Sequence, residues 1–448
     1  MIFKRSSRVA VLDLTHGGAA IAKKLKKIAS EVAAIDVYKT LSAEELEALE
    51  SEGIRTSTNA LEAVNFDVII APVHLDSNYP MLVDAAKNNI PVLSHHAVVG
   101  ELLSGYNLKD KTLIEITGTK AKTSTSLLLA EILSGEKKVI THTSRGVEDW
   151  STRKVIKKGL SITPASILSE LDTIVNEFDV LISEISLGGT GCADIGVITT
   201  IANDYKIANN TRLASDAKRQ MILNAKPGST LVINNDALRF FGACRRDVRI
   251  ISFTESADAS CNVYYENENT IAFFLDKKHG RIHISESKGY DINAYKTAFV
   301  CATAVALAMD IDAYTIERAL VRFSGAEGRM KITSLEGRRM IDNSNSGLDI
   351  RNAEEALQFA QVQGGRIVMV LGEEAKEVCE GLDPISVERF IHGHSEELYA
   401  LVLVGERMKP FVNGNNIYYA EDLSGGIEFA KKLTQKKDTI LSCVKCFR

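Results

Sequence analysis

The sequence predicts an α/β protein built from three domains. Short β-branched runs alternate with amphipathic helical patterns at both ends of the chain. In between, an apolar run at 112–117 passes through a small-residue turn into Lys122-Thr123 and a further helical pattern. The length of 448 residues is room for about three domains at roughly 150 residues each.

In the first hundred residues, Val9–Leu14, Val32–Val37, Asp67–Ala71 and Pro91–Leu93 read as strands buried on both faces. Ala19–Ile28, Ala43–Ser51 and Tyr79–Asn88 read as the helices between them, which implies a parallel sheet with crossover connections. A Gly17-Gly18 turn after the first strand, with Asp36 ending the second, is a weakened dinucleotide pattern. Without the full three-glycine spacing, a plain Rossmann-like layer is expected rather than an NAD site. The polar stretch Ser104–Asp110 then precedes the strand Thr112–Thr117 and marks a first boundary. A second boundary falls near Phe323-Ser324-Gly325, after helices at Tyr295–Met309 and Tyr314–Arg322. Met330–Leu335 and Arg338–Asp342 beyond it read as a hairpin turning at Glu336-Gly337. Arg366–Leu371, Ala400–Val404 and Thr439–Ser442 read as strands of a last α/β layer.

Composition narrows the function. Hydrophobic residues at 45% and charged residues at 25% are ordinary for a soluble globular chain with ample core. A formal charge of −5 with no basic block argues against a nucleic-acid partner. No apolar run approaches the roughly 20 residues of a membrane helix, and the N-terminus lacks the cleavage site of a signal peptide. Seven scattered cysteines suggest a reducing, cytoplasmic compartment. Cys443 and Cys446 form a C-x-x-C pair, but the second pair that a zinc site needs is missing.

The chemistry centres on 118–124, Gly118-Thr119-Lys120-Ala121-Lys122-Thr123-Ser124. A strand, a small-residue turn and a helix N-terminus suit a polyphosphate, because backbone N–H groups and the helix macrodipole favour negative charge there. Lys122 can neutralise phosphate charge, and the Thr123 hydroxyl suits Mg²⁺. The ordinary eight-residue P-loop does not match, since Ile116 and Ala121 stand where it has glycine.

This loop resembles the short phosphate loop of the Mur ligases and folylpolyglutamate synthases, G-T-x-G-K-T-[ST]. Further segments are similar in order along the chain. Val180–Ser186 resembles an apolar strand ending in a Mg²⁺-binding glutamate, here Glu184. Ala214–Lys218 resembles a segment whose lysine, here Lys218, becomes a metal-bridging carbamate. Gly328-Arg329-Met330 resembles the opening of the family's last domain, where the arginine reaches phosphate, and Asp342-Asn343 the nucleotide-contacting segment nearby. The resemblance implies a three-domain Mur ligase architecture: a Rossmann-like domain at 1–107, a P-loop ATPase domain at 108–324 and a C-terminal α/β domain at 325–448. It also implies ATP and Mg²⁺ as cofactors, with Thr123, Glu184 and Lys218 as the metal set and Lys122 and Arg329 beside them. Three departures stand out. Ala121 replaces a glycine, Tyr205 sits where a metal-binding histidine is common, and Asn343 replaces an acid.

Ala71–Asp76, Ser94–His96 and Thr141–Gly146 are unlike peptidoglycan ligases and, together with Leu12–Gly18, resemble the coenzyme F-430 synthase branch of the family in methanogenic archaea. That branch closes a carbocyclic ring on a nickel-containing seco-tetrapyrrole acid, so such a small molecule is the expected substrate. His16, His74, His95, His96, His142 and Arg145 are then expected to face its carboxylates from the first sheet's carboxyl edge. The alternatives are an amide-forming Mur-type ligase and a nucleotide-binding protein that has lost catalysis.

Overall fold

The computed structural model describes residues 3–174, 177–242, 245–285, 289–374 and 381–446. They form two compact units: Met1–His283 with Thr297–Ala319, and Ile284–Lys296 with Leu320–Arg448.

The first unit opens with five strands: β1 (Arg8–Leu12), β2 (Glu31–Ile35), β3 (Arg55–Ser57), β4 (Val68–Ala71) and β5 (Val92–Ser94). They pair in parallel in the order β3-β2-β1-β4-β5. Side chains alternate across a strand, so Val9 and Val11 enter one core while Ala10 and Leu12 enter another. The core beneath Val9 and Val11 also contains Leu113, Ile140, Leu168 and Ile185. It therefore runs across the 107/108 boundary without a break. Behind β5 the sequence contains a helix that its short apolar pattern concealed, His95–Leu103, capped by Ser94 accepting from the Ala97 N–H at 3.1 Å.

The second sheet of this unit is built from β6 (Thr112–Thr117), β7 (Val139–Thr143), β8 (Gly146–Asp149), β9 (Lys154–Lys157), β10 (Val180–Glu184) and β11 (Ile195–Ile198). A two-stranded ribbon, β12 (Lys206–Ile207) and β13 (Arg212–Leu213), stands apart. The sheet continues through β14 (Thr230–Asn234), β15 (Arg249–Thr254), β16 (Val263–Asn267), β17 (Thr270–Leu275) and β18 (Lys278–His283). Its order is β18-β17-β16-β15-β14-β11-β6-β10-β7-β8-β9, parallel from β16 to β7 and antiparallel at both ends. Strand β6 lies between β10 and β11, with Glu184 level with Ile116 and Ile198 level with Thr117. That register brings the ends of three strands together where the 118–124 loop begins.

The second unit carries β19 (Lys331–Leu335), β20 (Arg338–Asp342), β21 (Ile367–Glu373), β22 (Ala400–Val404), β23 (Ile417–Ala420) and β24 (Thr439–Lys445). The order is β19-β20-β24-β21-β22-β23, with only the β19–β20 pair antiparallel. Glu336 (φ 52°) and Gly337 (φ 83°) make the hairpin turn, both left-handed as a two-residue type I′ turn requires. Segment 284–296, which the sequence assigns to the central domain, belongs to this unit. Tyr290 bridges to Lys331, and the Tyr295 hydroxyl donates to the Arg329 carbonyl at 2.7 Å.

Candidate active site

The loop after β6 is held by its neighbours before any ligand is considered. Gly118 has φ 151°, and a Cβ there would lie 1.9 Å from Thr199 Oγ1, so only glycine fits. The Thr119 N–H donates to the Thr200 carbonyl at 2.9 Å, and its hydroxyl to the Ala202 carbonyl at 2.6 Å. Thr199 Oγ1 donates to the Lys120 carbonyl at 2.6 Å. Ala121 is left-handed, at φ 64° and ψ 1°, and directly precedes the helix Lys122–Leu133. The position that the family fills with glycine keeps its glycine conformation here, despite the Cβ.

Lys122, Thr123 and Glu184 converge. Thr123 Oγ1 donates to Glu184 Oε2 at 2.8 Å, and Lys122 Nζ lies 3.9 Å from Glu184 Oε1. Lys122 Nζ also donates to the Gly118 carbonyl at 3.1 Å. Thr123, Ser124 and Glu184 are buried. A hydroxyl and a carboxylate side by side are hard oxygen donors suited to Mg²⁺, and the adjacent cation and helix N-terminus suit phosphate. The residues present fit both groups.

Lys218 ends the short helix Ala214–Lys218 and is fully buried. Its Nζ lies 3.5 Å from the Tyr205 hydroxyl and 4.9 Å from the ring centroid. Burial, followed by the positive charge of Lys122, lowers its pKa to about 7, against a smaller opposing effect of Asp204.

Beside Lys120 lies a cavity of about 500 Å³, lined by Thr200, Asn234, Asp236, Glu255 and Thr297 among others. Lys120, which also lines it, was expected at the nucleotide from the sequence, whereas Asn234, Asp236, Glu255 and Thr297 were not singled out. The available signal was Asn234-Asn235-Asp236 at the end of an apolar strand, a helix cap at the sheet's carboxyl edge. In the second unit, Arg329 follows Gly328, and Asp342 Oδ2 accepts from the Gly328 N–H at 2.9 Å. Asn343 Nδ2 donates to the Asn352 carbonyl at 3.4 Å. The bond to Asp342 holds the Gly328–Arg329 turn against the end of β20.

The histidines divide into two kinds. His16 and His74 are partly exposed and meet at Asp13, whose Oδ2 lies 2.8 Å from His16 Nδ1 and 3.2 Å from His74 Nε2. His95 and His96 are 1% and 5% exposed, in the first turn of a helix rather than on a strand end. Burial lowers their pKa values to about 4 and about 3. His142, on β7, is fully buried 3.1 Å from Glu170, and burial lowers it to about 4. These three rings are neutral at physiological pH and cannot supply the positive, ligand-facing edge expected of them; β-strand ends were mistaken for surface. Arg145 is partly exposed and paired with Glu148 at 3.1 Å. Asp36 is buried, accepting from the Leu41 N–H at 3.0 Å, and offers no ribose contact. Five cysteines among the described residues are free. Cys443 and Cys446 are buried and join no group of three metal-ligating side chains among the described residues. Among those residues, no helix is long and apolar enough to cross a membrane.

Residues 116–297 match the Mur ligase middle domain, and residues 332–446 match the C-terminal domain of coenzyme F430 synthetase CfbE. The chain is 43% identical to the coenzyme F(430) synthetase of Methanosarcina acetivorans, over 98% of this chain and 99% of that one. It belongs to the coenzyme F(430) synthetase family. The family's protein from Methanocaldococcus jannaschii is 25% identical over 91% of this chain and 93% of its own. Among solved structures, MurF from Acinetobacter baumannii superposes with a TM-score of 0.58 at 14% identity, covering 85% of this chain and 88% of that one. A bifunctional folylpolyglutamate synthase/dihydrofolate synthase gives 0.58 at 15% identity over 78% of this chain and 90% of its own. The α/β Mur ligase architecture is thereby established, and the family places the chain among ATP-dependent ligases.

Proposed function

We propose that the chain activates a carboxylate of a nickel-containing seco-tetrapyrrole acid with ATP and closes the last carbocyclic ring of coenzyme F430, releasing ADP and phosphate. The observation that carries this reading is the near full-length 43% identity to the Methanosarcina acetivorans synthetase. The local geometry of the loop supports it. Three domains with boundaries at 107/108 and 324/325 and a cytoplasmic setting belong to the same reading.

In this reading, Gly118 to Ser124 cradle the triphosphate, and Lys122 balances charge on the group being transferred, which is mainly a matter of position and electrostatics. Thr123, Glu184 and a carbamylated Lys218 would hold Mg²⁺, which supplies Lewis-acid neutralisation of phosphate charge. The cavity beside Lys120 suits the nucleoside. Arg329, Asp342 and Asn343 are assigned to the nucleotide by the family resemblance. The substrate carboxylate attacks the γ-phosphorus, ADP leaves, and a carbon of the same substrate displaces phosphate from the acyl phosphate. His16, His74 and Arg145, all partly exposed, would face the substrate's other carboxylates.

Because both reacting groups lie on one molecule, binding it supplies the orientation that a two-substrate ligase obtains from a second site. The test is incubation of protein, MgATP and the seco-acid with no amine. ADP release with a product lighter by one water supports ring closure. ADP release only after an amino acid is added, with an amide product, would make the chain a Mur-type amide ligase.

A further inference from the structure

The Asp13 carboxylate sits at the carboxyl end of β1, fully buried, on a residue held left-handed at φ 67° and ψ 87°. A non-glycine residue is strained in this conformation, and such strain persists where the surroundings demand it. The surroundings do so here. Asp13 Oδ1 accepts from the His16 N–H at 3.2 Å. The following turn, Leu14–Gly18, is kinked and not regularly helical, with His16 at φ −97° and ψ 41° and Gly17 at φ 96°. A Cβ on Gly18 would lie 2.3 Å from the Asp13 carbonyl oxygen. The turn folds back so that His16 Nδ1 reaches Asp13 Oδ2, while His74 reaches the same oxygen from the segment after β4.

We propose that Asp13, His16 and His74 form a tripodal site for a borderline divalent transition cation such as Zn²⁺ or Co²⁺, separate from the phosphate loop. The three ligand atoms lie within 4.8 Å of one another, and they are the sole such group among the described residues. Ligands on a tetrahedral ion of this class stand about 3.4 Å apart, from bond lengths near 2.1 Å. The Oδ2–nitrogen separations of 2.8 and 3.2 Å need only a small opening to admit one. The imidazole planes are nearly perpendicular, at 82°, with centroids 4.7 Å apart, so the two rings approach Asp13 from different directions. Two imidazole nitrogens and one carboxylate oxygen select first-row transition ions over Mg²⁺, which prefers oxygen alone. A dication also balances the buried Asp13 charge without requiring either imidazole to be protonated.

A second observation surrounds the tripod. His95 Nε2 is hydrogen-bonded to the Leu12 carbonyl at 2.9 Å, one residue before Asp13. His96 beside it is buried with neither ring nitrogen partnered among the described residues. Three protein ligands leave a tetrahedral position open at the sheet edge, for water or an anionic group of a ligand.

The test uses metal-stripped full-length protein in excess Mg²⁺, titrated with Co²⁺ and followed by visible absorption. The expected result is a set of tetrahedral d–d bands saturating at one equivalent per chain and displaced by Zn²⁺. Glu184→Gln should retain the bands, whereas His74→Ala and Asp13→Asn should lose them, each variant being checked for folding by circular dichroism. If Asp13→Asn fails to fold, His74→Ala, whose side chain is 27% exposed, decides the matter alone. Absence of the bands, their survival in His74→Ala, or the charge-transfer absorption of a cysteine thiolate would overturn the proposal.

Discussion

Lys218 Nζ lies over the ring of Tyr205, 4.9 Å from its centroid, in a pocket that leaves the lysine no exposed surface. Carbamylation consumes a neutral amine and CO₂ and releases a proton, so a lysine titrating near 7 is poised for it, whereas an ordinary lysine near 10.4 is not. With ¹³C-bicarbonate at pH 8, one carbamate resonance is expected, absent from Lys218→Ala and fading as the pH falls below 7. A spectrum without that resonance at pH 8 would leave Lys218 a plain amine.

The bond from Thr123 to Glu184 at 2.8 Å leads to a division of labour between two variants. Glu184→Gln keeps the shape and removes a charged oxygen ligand, so the Mg²⁺ midpoint of ATP turnover should rise roughly tenfold or more. Lys122→Ala should lower turnover by roughly a hundredfold or more, since it removes charge stabilisation at the transferred group. Neither should shift the melting temperature greatly. Steady-state ADP release across a Mg²⁺ series measures both, and an unchanged Mg²⁺ midpoint in Glu184→Gln would reduce that residue to a strand-end acid.

Ala121 and Gly118 make a pair of opposite sign. Ala121 is left-handed at φ 64°, so Ala121→Gly should raise stability by about 1 kcal/mol, the relief of the Cβ exceeding the added freedom of the unfolded chain. Gly118→Ala places a Cβ 1.9 Å from Thr199 Oγ1 and should destabilise the loop and abolish nucleotide binding. Urea unfolding and nucleotide titration of the two variants check this. A destabilised Ala121→Gly would mean that its methyl contributes packing that outweighs the strain.

Much of this architecture was readable in the chain because its strands are buried on both faces. Ala43–Ser51, Thr112–Thr117 and Ala400–Val404 fall where apolar runs and capping residues place them. The Glu336-Gly337 turn was legible because few residues accept two successive left-handed conformations. What escaped was what periodicity cannot carry. His95–Leu103 is so apolar that its helical period vanishes into a strand-like run, and the exposure of its histidines was misjudged with it. The antiparallel hairpin β17–β18 turns at Asp276-Lys277, two left-handed residues with no glycine to mark the turn. Within the loop, Lys122 and Thr123 were legible from order and spacing, whereas Glu184 came only from the family resemblance. Asp13 was passed over because a buried carboxylate at a strand end reads as a turn until His74, 61 residues on, is brought to it.

His96 sets the last expectation, which concerns acid. Its ring is buried with no hydrogen-bond partner among the described residues, and burial holds its pKa at about 3. In the unfolded chain it takes a proton near pH 6.5, so between 6.5 and 3 the unfolded state binds one more proton than the native state. Its contribution to stability is therefore intact above 6.5 and is lost as the pH falls, at about 1.4 kcal/mol per unit. His95 and His142 act in the same direction. Glu170 and Glu115 are raised by burial and act in the opposite direction above their unfolded values, so the slope of the wild-type protein alone does not isolate any one group. The difference from His96→Leu does. Leucine fills a similar volume and takes no proton, so the variant should gain about 2 kcal/mol relative to the wild type on going from pH 7 to pH 5. Urea unfolding at the two pH values gives that double difference directly, and a value near zero would mean that His96 is protonated in the folded chain.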